Sequence, residues 1–278
     1  MSAGEPSGAF DLPRSTEPPA VTPETEAIWR GILVGTDPRY RDSYAFLKRL
    51  PGSPRCRLCS APFKGAGAVV ARRMGRRQWA KNPHYCQACF TLLEHQHGGA
   101  EIDCSLLFAD IRGSTSLAEG MSPTEFRRLL DRFYDAAARV LFEREAILDK
   151  FVGDEVFAIF VPAFTGSEHA TRAIEAARDL LVATGHADAA GPWLPIGIGV
   201  HTGVAYVGAV GELPSTTVTA VGDPVNVAAR LASAAGPGEL LISRVTAVAA
   251  GVDESALEHR ELDLKGKAER VSVVVLRA

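Results

Sequence analysis

The stretch Leu106-Leu107-Phe108-Ala109-Asp110-Ile111-Arg112-Gly113-Ser114-Thr115 runs from apolar sequence straight into a carboxylate and a loop of small residues. Upstream of it, Ile102, Cys104, Leu106 and Phe108 alternate with partly polar neighbours and then merge into the apolar run, the signature of a central β-strand. Asp154, 44 residues on, repeats the arrangement in Lys150-Phe151-Val152-Gly153-Asp154-Glu155-Val156-Phe157-Ala158-Ile159-Phe160. Gly153-Asp154 predicts a tight turn between two strands over 146–160. A carboxylate beside so much apolar surface is costly unless something cationic compensates it. Two of them converging on one point would repel, which a divalent cation relieves. Hard oxygen ligands on strands, with a phosphate as a further ligand, point to magnesium or manganese.

Outward from these aspartates, helices alternate with strands. Ser122, Pro123 and Glu125 make a capping box with proline at the first helical position, so a helix starts there. Phe126, Leu129, Leu130, Phe133, Ala137, Val140 and Leu141 lie on its inward face. A second amphipathic helix is expected over 167–184, with strands over 195–202, 204–210 and 217–221. A helix over 224–235 and short strands near 239–243 and 271–277 complete a unit spanning 100–278. This order predicts an α+β fold, a ferredoxin-like split βαβ sandwich with an open sheet backed by helices on one face.

Three segments resemble the motifs of class III nucleotidyl cyclases. They are Phe108 to Thr115, Lys150 to Glu155, and Val221-Gly222-Asp223-Pro224-Val225-Asn226-Val227-Ala228-Ala229-Arg230-Leu231; Leu264-Lys265-Gly266-Lys267 adds a fourth, all in the family's order. The resemblance implies a reaction in which the ribose 3′-hydroxyl of a nucleoside triphosphate attacks its own α-phosphate and expels pyrophosphate. It implies two Mg2+ or Mn2+ ions per site on Asp110, Asp154, the Ile111 carbonyl and the triphosphate. It assigns Asn226 to the ribose and Arg230 to the charge growing on the transferring phosphate. Spaced by four, these two share a helix face. Backbone N–H groups of Arg112, Gly113, Ser114 and Thr115 would line the phosphates, and Lys265 would bind the triphosphate. The family draws the metal aspartates from one protomer and the base, ribose and phosphate contacts from the other, so a homodimer is implied.

Lys150 and Thr219 occupy the family's base-reading positions. An ammonium only donates, which suits N1 of adenine, and a threonine hydroxyl can accept from the 6-amino group. Guanine presents the opposite pattern, and guanylyl cyclases commonly use Glu and Cys there. ATP is therefore the expected substrate, with GTP the alternative. Threonine in place of the commoner aspartate resembles the bicarbonate-responsive subgroup. One departure stands out: Ser215 falls where many bacterial relatives carry an arginine, which keeps open a catalytically weak, nucleotide-sensing module.

Cys56-Arg57-Leu58-Cys59 and Cys86-Gln87-Ala88-Cys89 are two CxxC pairs separated by 26 residues, a pattern suited to one structural zinc in a zinc-ribbon-like module over 55–99. An iron–sulfur cluster or a redox thiol pair is the alternative. Cys104, in the first strand, is expected to fill core. Residues 1–25 read as a disordered tail, and 26–54 as short helices followed by the linker Pro51-Gly52-Ser53-Pro54. The net charge of −3 hides an asymmetry: residues 1–99 hold 14 Lys/Arg against 8 Asp/Glu, and 100–278 hold 16 against 25. Residues 55–85 carry eight Lys/Arg and no acid, which reads as a solvated face or as docking onto the acidic unit, ahead of nucleic-acid or lipid-headgroup binding; aromatics are too few there to favour nucleic acid. The sequence holds neither a membrane-spanning apolar run nor a signal pattern, and thiols in CxxC pairs suit a reducing compartment, so a cytoplasmic protein is expected.

Overall fold

The strand that carries Asp110 as its penultimate residue is β1 (Gly99–Ile111), and it lies inside an eight-stranded sheet. The computed structural model describes residues 22–80, 82–211, 216–263 and 270–278, without the side chains of 150–152. The other strands are β2 (Ile147–Val152), β3 (Glu155–Phe160), β4 (Ile196–Val210), β5 (Thr217–Val221), β6 (Glu239–Ser243), β7 (Glu258–Leu262) and β8 (Val271–Arg277). Their order is β2-β3-β1-β4-β6-β8-β7, and β5 pairs with the far half of β4. Every pairing is antiparallel except β4 with β6.

Helices α1 (Pro23–Val34), α2 (Pro38–Arg49), α3 (Gly67–Arg73) and α4 (Gln87–His95) precede the sheet. Within it come α5 (Ser114–Glu119), α6 (Pro123–Glu143), α7 (Pro162–Thr165), α8 (His169–Ala183), α9 (Asp223–Ala234) and α10 (Arg244–Ala249). The capping box forms as expected: Glu125 N–H donates to Ser122 Oγ at 3.3 Å, and the Glu125 carboxylate accepts from Ser122 N–H at 2.9 Å. From that start α6 buries Phe133, Ala137, Val140 and Leu141, and α8 buries Ile174, Ala177, Leu180 and Leu181. Both pack against Leu107, Ala109, Ile111, Val156 and Ala158 on one face of the sheet. Phe126, Leu129 and Leu130 stay half-buried.

The opposite face is covered as well, which the expectation of helices on one face did not include. Trp29, Leu33, Leu47, Leu58, Tyr85 and Phe90 form one apolar cluster with Ile102, Leu106, Phe108, Phe157, Val207 and Val218. Each large side chain so buried contributes roughly 1.5–3 kcal/mol. The core therefore crosses the expected division at residue 99 without a break.

Three further expectations change. The tail expected over 1–25 gives way to helix at Pro23, because Thr22 caps it by accepting from Thr25 N–H at 3.2 Å; residues 1–21 lie outside the described residues. Pro51 to Pro54 is a packed corner rather than a spacer: Gly67 N–H donates to the Pro51 carbonyl at 3.0 Å, and a Cβ at Gly52 would lie 2.0 Å from the Lys64 carbonyl oxygen. The strands expected over 195–202 and 204–210 are one continuous β4. Its glycines admit α9: a Cβ at Gly199 would sit 2.2 Å from Ala232 N, and one at Gly203 would sit 3.2 Å from Pro224 Cγ. Among the described residues no helix is long and apolar enough to cross a membrane.

Candidate active site

Asp110 is the penultimate residue of β1, and Asp154 sits in the β2–β3 turn, where Gly153 takes φ 61°. Ile111 N–H donates to the Asp154 carbonyl at 3.3 Å, which fastens the strand end to the turn. The Tyr134 hydroxyl, from α6, donates to the Gly153 carbonyl and holds the turn from the other side. Burial pushes the Asp110 carboxyl up from its ordinary value; Arg112 pulls it down, and the Asp154 carboxylate pushes it up again. A half-buried Asp110 carboxyl whose charge the neighbouring Asp154 disfavours fits a hard divalent cation between the two.

Arg112 bridges two elements. Its guanidinium pairs with the Asp110 carboxylate and donates to the carbonyls of Ser233 and Ala235 at 3.0 and 3.2 Å, at the C-terminal end of α9. A cation there complements the helix dipole. The Arg112 backbone N–H is bonded to the Pro195 carbonyl at 2.9 Å, so of the four N–H groups expected at the phosphates this one is already engaged. Gly113, in the left-handed region at φ 69°, turns the chain into α5, which starts with Ser114 and Thr115.

Asn226 and Arg230 lie on α9, exposed and half-buried respectively. Val227, Ala228, Leu231 and Ala232 of the same helix are buried. At 3.6 residues per turn the two faces point roughly 150° apart. The polar pair thus looks away from the sheet whose central strand β1 carries Asp110.

Thr219, on β5, is only 8% exposed, and its hydroxyl donates to the carboxylate of Asp149. Residue 150 is the next position on β2, beside the Asp149 that Thr219 meets. Asp149 was not expected there. The ladder between β2 and β3 shifts register between Leu148 and Lys150, leaving Asp149 as the extra residue of a bulge. The signal that could have found it is a carboxylate in the otherwise apolar run Ile147-Leu148. Lys265 and Ser215 lie outside the described residues.

Residues 99–277 match the family described as the adenylate and guanylate cyclase catalytic domain. The chain belongs to the class III adenylate/guanylate cyclase family. An adenylate cyclase of Anabaena cylindrica is 30% identical over 185 residues, covering 63% of this chain and 36% of that protein. The chain therefore spans well under half the length of this relative. Among solved structures, the guanylyl cyclase Cya2 superposes with a TM-score of 0.59 at 28% identity, over 64% of this chain and 93% of that one. The adenylyl cyclase CyaB from P. aeruginosa gives 0.56 at 28% identity, over 64% and 95%.

This cyclase-family chain carries a second candidate metal centre before the matched residues, against the covered sheet face. Cys56, Cys59, Cys86 and Cys89 are all buried, with sulfurs within 4.8 Å of one another. Cys59 and Cys86 sulfurs are 3.6 Å apart, close to the edge of about 3.8 Å that a tetrahedron with 2.3 Å metal–sulfur bonds requires. Hydrogen bonds from Cys56, Cys59 and Cys89 hold the Cys86 thiol far below its ordinary value, while Cys59 and Cys89 are pushed up. Four thiolates so close need a cation to ionise together. Among the described residues the framework is a turn and a helix start rather than a paired ribbon: Cys56 and Cys59 flank a turn, Cys86 caps α4, and isolated bridges, Arg55 with Pro62 and Gln78 with Cys86, flank the pairs. Cys104 fills core, its thiol pushed up to about 12 by burial.

Proposed function

We propose that this protein is an adenylyl cyclase that converts ATP to 3′,5′-cyclic AMP and pyrophosphate at sites shared between two copies of the chain. The observation that carries this reading is the division of the machinery across α9. Asp110 and Asp154 gather at the end of the central strand β1, whereas Asn226 and Arg230 look outward from the far side of the helix. A nucleotide held by one chain's aspartates is thus best served by the outward pair of a second chain. Val204 and Val221, 61% and 52% exposed on the paired strands β4 and β5, supply apolar surface for such a partner.

Asp110, Asp154 and the Ile111 carbonyl would hold the divalent cations, Mg2+ or Mn2+. Bound there, such ions supply Lewis acidity at the 3′-hydroxyl and neutralise phosphate charge. Asn226 orients the ribose, and Arg230 stabilises charge on the phosphate as the 3′-oxygen bonds to the α-phosphorus and pyrophosphate leaves. The 3′-hydroxyl proton passes to solvent. Lys150 and Thr219 read adenine, and Lys265 binds the triphosphate. The four cysteines hold one zinc ion, since an iron–sulfur cluster places its thiolates on separate irons and spreads them further. The unit around them tunes the cyclase, and its thiols suit the cytoplasm.

A second reading, a nucleotide-binding module with little turnover, is favoured by one contact: Arg112 holds the Asp110 carboxylate that the cations would need. One assay separates the two. Purified protein is given ATP or GTP with Mg2+ or Mn2+, and products are resolved by chromatography. Cyclic AMP formed from ATP in excess over cyclic GMP from GTP supports the cyclase, and nucleotide bound without product supports the module. The bicarbonate assignment fails if turnover at fixed pH ignores added bicarbonate.

A further inference from the structure

We infer that Asp149 is the positioning residue that sets base selectivity, by fixing which way the Thr219 hydroxyl points its proton. The inference rests on the reading that Thr219 faces the base. A threonine hydroxyl is ambiguous on its own, because it can donate to O6 of guanine as readily as it accepts from the 6-amino group of adenine. Selectivity needs something to remove the ambiguity.

Asp149 does so. It is 1% exposed, and its carboxylate takes the Thr219 hydroxyl proton in a bond shorter than the alternative to the Ala220 carbonyl at 3.5 Å. With its proton committed to a carboxylate, the hydroxyl has only lone pairs to offer a ligand. It then accepts from adenine and meets guanine O6 with like polarity.

The placement of Asp149 is itself built. The bulge in β2 re-aims its side chain toward β5, a use that bulges beside functional sites often have. Arg57 donates to the Asp149 carbonyl at 2.6 Å, clamping the bulge from the cysteine unit. On the β5 side the Tyr85 hydroxyl accepts from Val218 N–H at 2.9 Å and lies 3.0 Å from the Thr217 hydroxyl. Arg57 and Tyr85 are each one residue from a cysteine, Cys56 and Cys86. The four-cysteine cluster therefore sets the spacing of the two strands across which Asp149 and Thr219 meet.

The test is a double-mutant cycle on selectivity. The ratio of kcat/KM for ATP over GTP, and the ratio of affinities for the α,β-methylene analogues of both, are measured for wild type, Asp149→Asn, Thr219→Val and the double variant. An asparagine can turn its amide nitrogen toward Thr219 and release the hydroxyl proton, so Asp149→Asn should lower both ratios about tenfold. In the Thr219→Val background the same change should move them less than about twofold. A folded Asp149→Asn protein with an unchanged ratio overturns the inference, as does an equal loss in both backgrounds. If Asp149→Asn does not fold, Asp149→Ser, smaller and uncharged, takes its place with the same expectations. The binding arm keeps the two readings apart. Selective analogue binding without cyclisation sinks the cyclase and leaves the inference standing, while cyclisation with an unchanged ratio does the reverse. Binding of neither analogue by the wild type overturns both.

Discussion

The indole N–H of Trp29, in α1, donates to the Gln96 carbonyl at 2.6 Å, just beyond α4, so the first described helix is bolted to the end of the cysteine unit. Trp29 is fully buried against the apolar cluster that includes Ile102 and Leu106 of β1. Trp29→Ala should cost about 3–5 kcal/mol, the range for truncating a buried tryptophan. Urea unfolding followed by both far-ultraviolet circular dichroism and metal release should show one coincident transition. Two separated transitions would mean that the N-terminal unit and the sheet fold apart.

The proposed division of the site across α9 predicts complementation between inactive proteins. Asp110→Ala and Arg230→Ala should each lower turnover at least about a hundredfold. Random re-pairing of the two should restore about a quarter of wild-type turnover, because about half the dimers are mixed and each has one intact site. No recovery after verified subunit exchange would argue for a site contained in one chain.

For the cysteine cluster, the expected content is one zinc per chain by elemental analysis, with no visible absorption of the kind iron–sulfur clusters give. Cys59→Ser should lose the metal and lower the unfolding temperature. It should also reduce selectivity for ATP over GTP, because Cys59 belongs to the cluster that places Arg57 and Tyr85. Zinc retained at one equivalent in that variant would remove Cys59 from the ligand set.

Stability at low pH should depend on Glu239. Its hydrogen bonds from Arg260 hold the carboxyl at about 2 against the opposing effect of burial, with further help from Gly236 N–H and Arg277. A carboxylate whose folded value lies below its unfolded one contributes above the unfolded value and loses that contribution as pH falls through the folded one. The effect is on the order of 2 kcal/mol, complete above about pH 4.5 and gone below about pH 2. Glu239→Gln should therefore be less stable than wild type at neutral pH and equal to it near pH 2 in denaturant titrations. A gap that stays constant with pH would assign the loss to packing.

Local rules made some of this molecule legible and concealed the rest. The Ser122–Glu125 box and the Gly153-Asp154 turn are written in a few adjacent residues, and both form where expected. Gly203 misled because glycine inside a strand pattern reads as a break; here it makes room for Pro224, 21 residues away. The strand β7, Glu258-His259-Arg260-Glu261-Leu262, has no apolar alternation, since it is an exposed edge strand laced by ion pairs to Glu239 and Arg277. Trp29, Leu33 and Leu47 announce helices but not what covers them, because that depends on a sheet face over fifty residues downstream. Asp149 escaped for the same reason: its partner Thr219 is 70 residues away.

The ladder between β1 and β4 has a consequence for how the protein is made. Gly99 pairs with Gly208 and Ile111 with Ile196, so the longest antiparallel pairing joins positions 85 to 109 residues apart. Such distant contacts must meet the entropy of closing a long loop before they return any stability. During synthesis β1 emerges with its β4 edge unpaired, and at 5–20 residues per second it waits roughly 5–20 s for β4 to follow. An apolar strand exposed that long is a template for misassociation. Yield in cells should rise when translation or growth temperature is slowed with chaperones supplied, and the N-terminal unit, already synthesised and apolar on the side that meets β1, is the chain's own cover for one face of that strand during the wait.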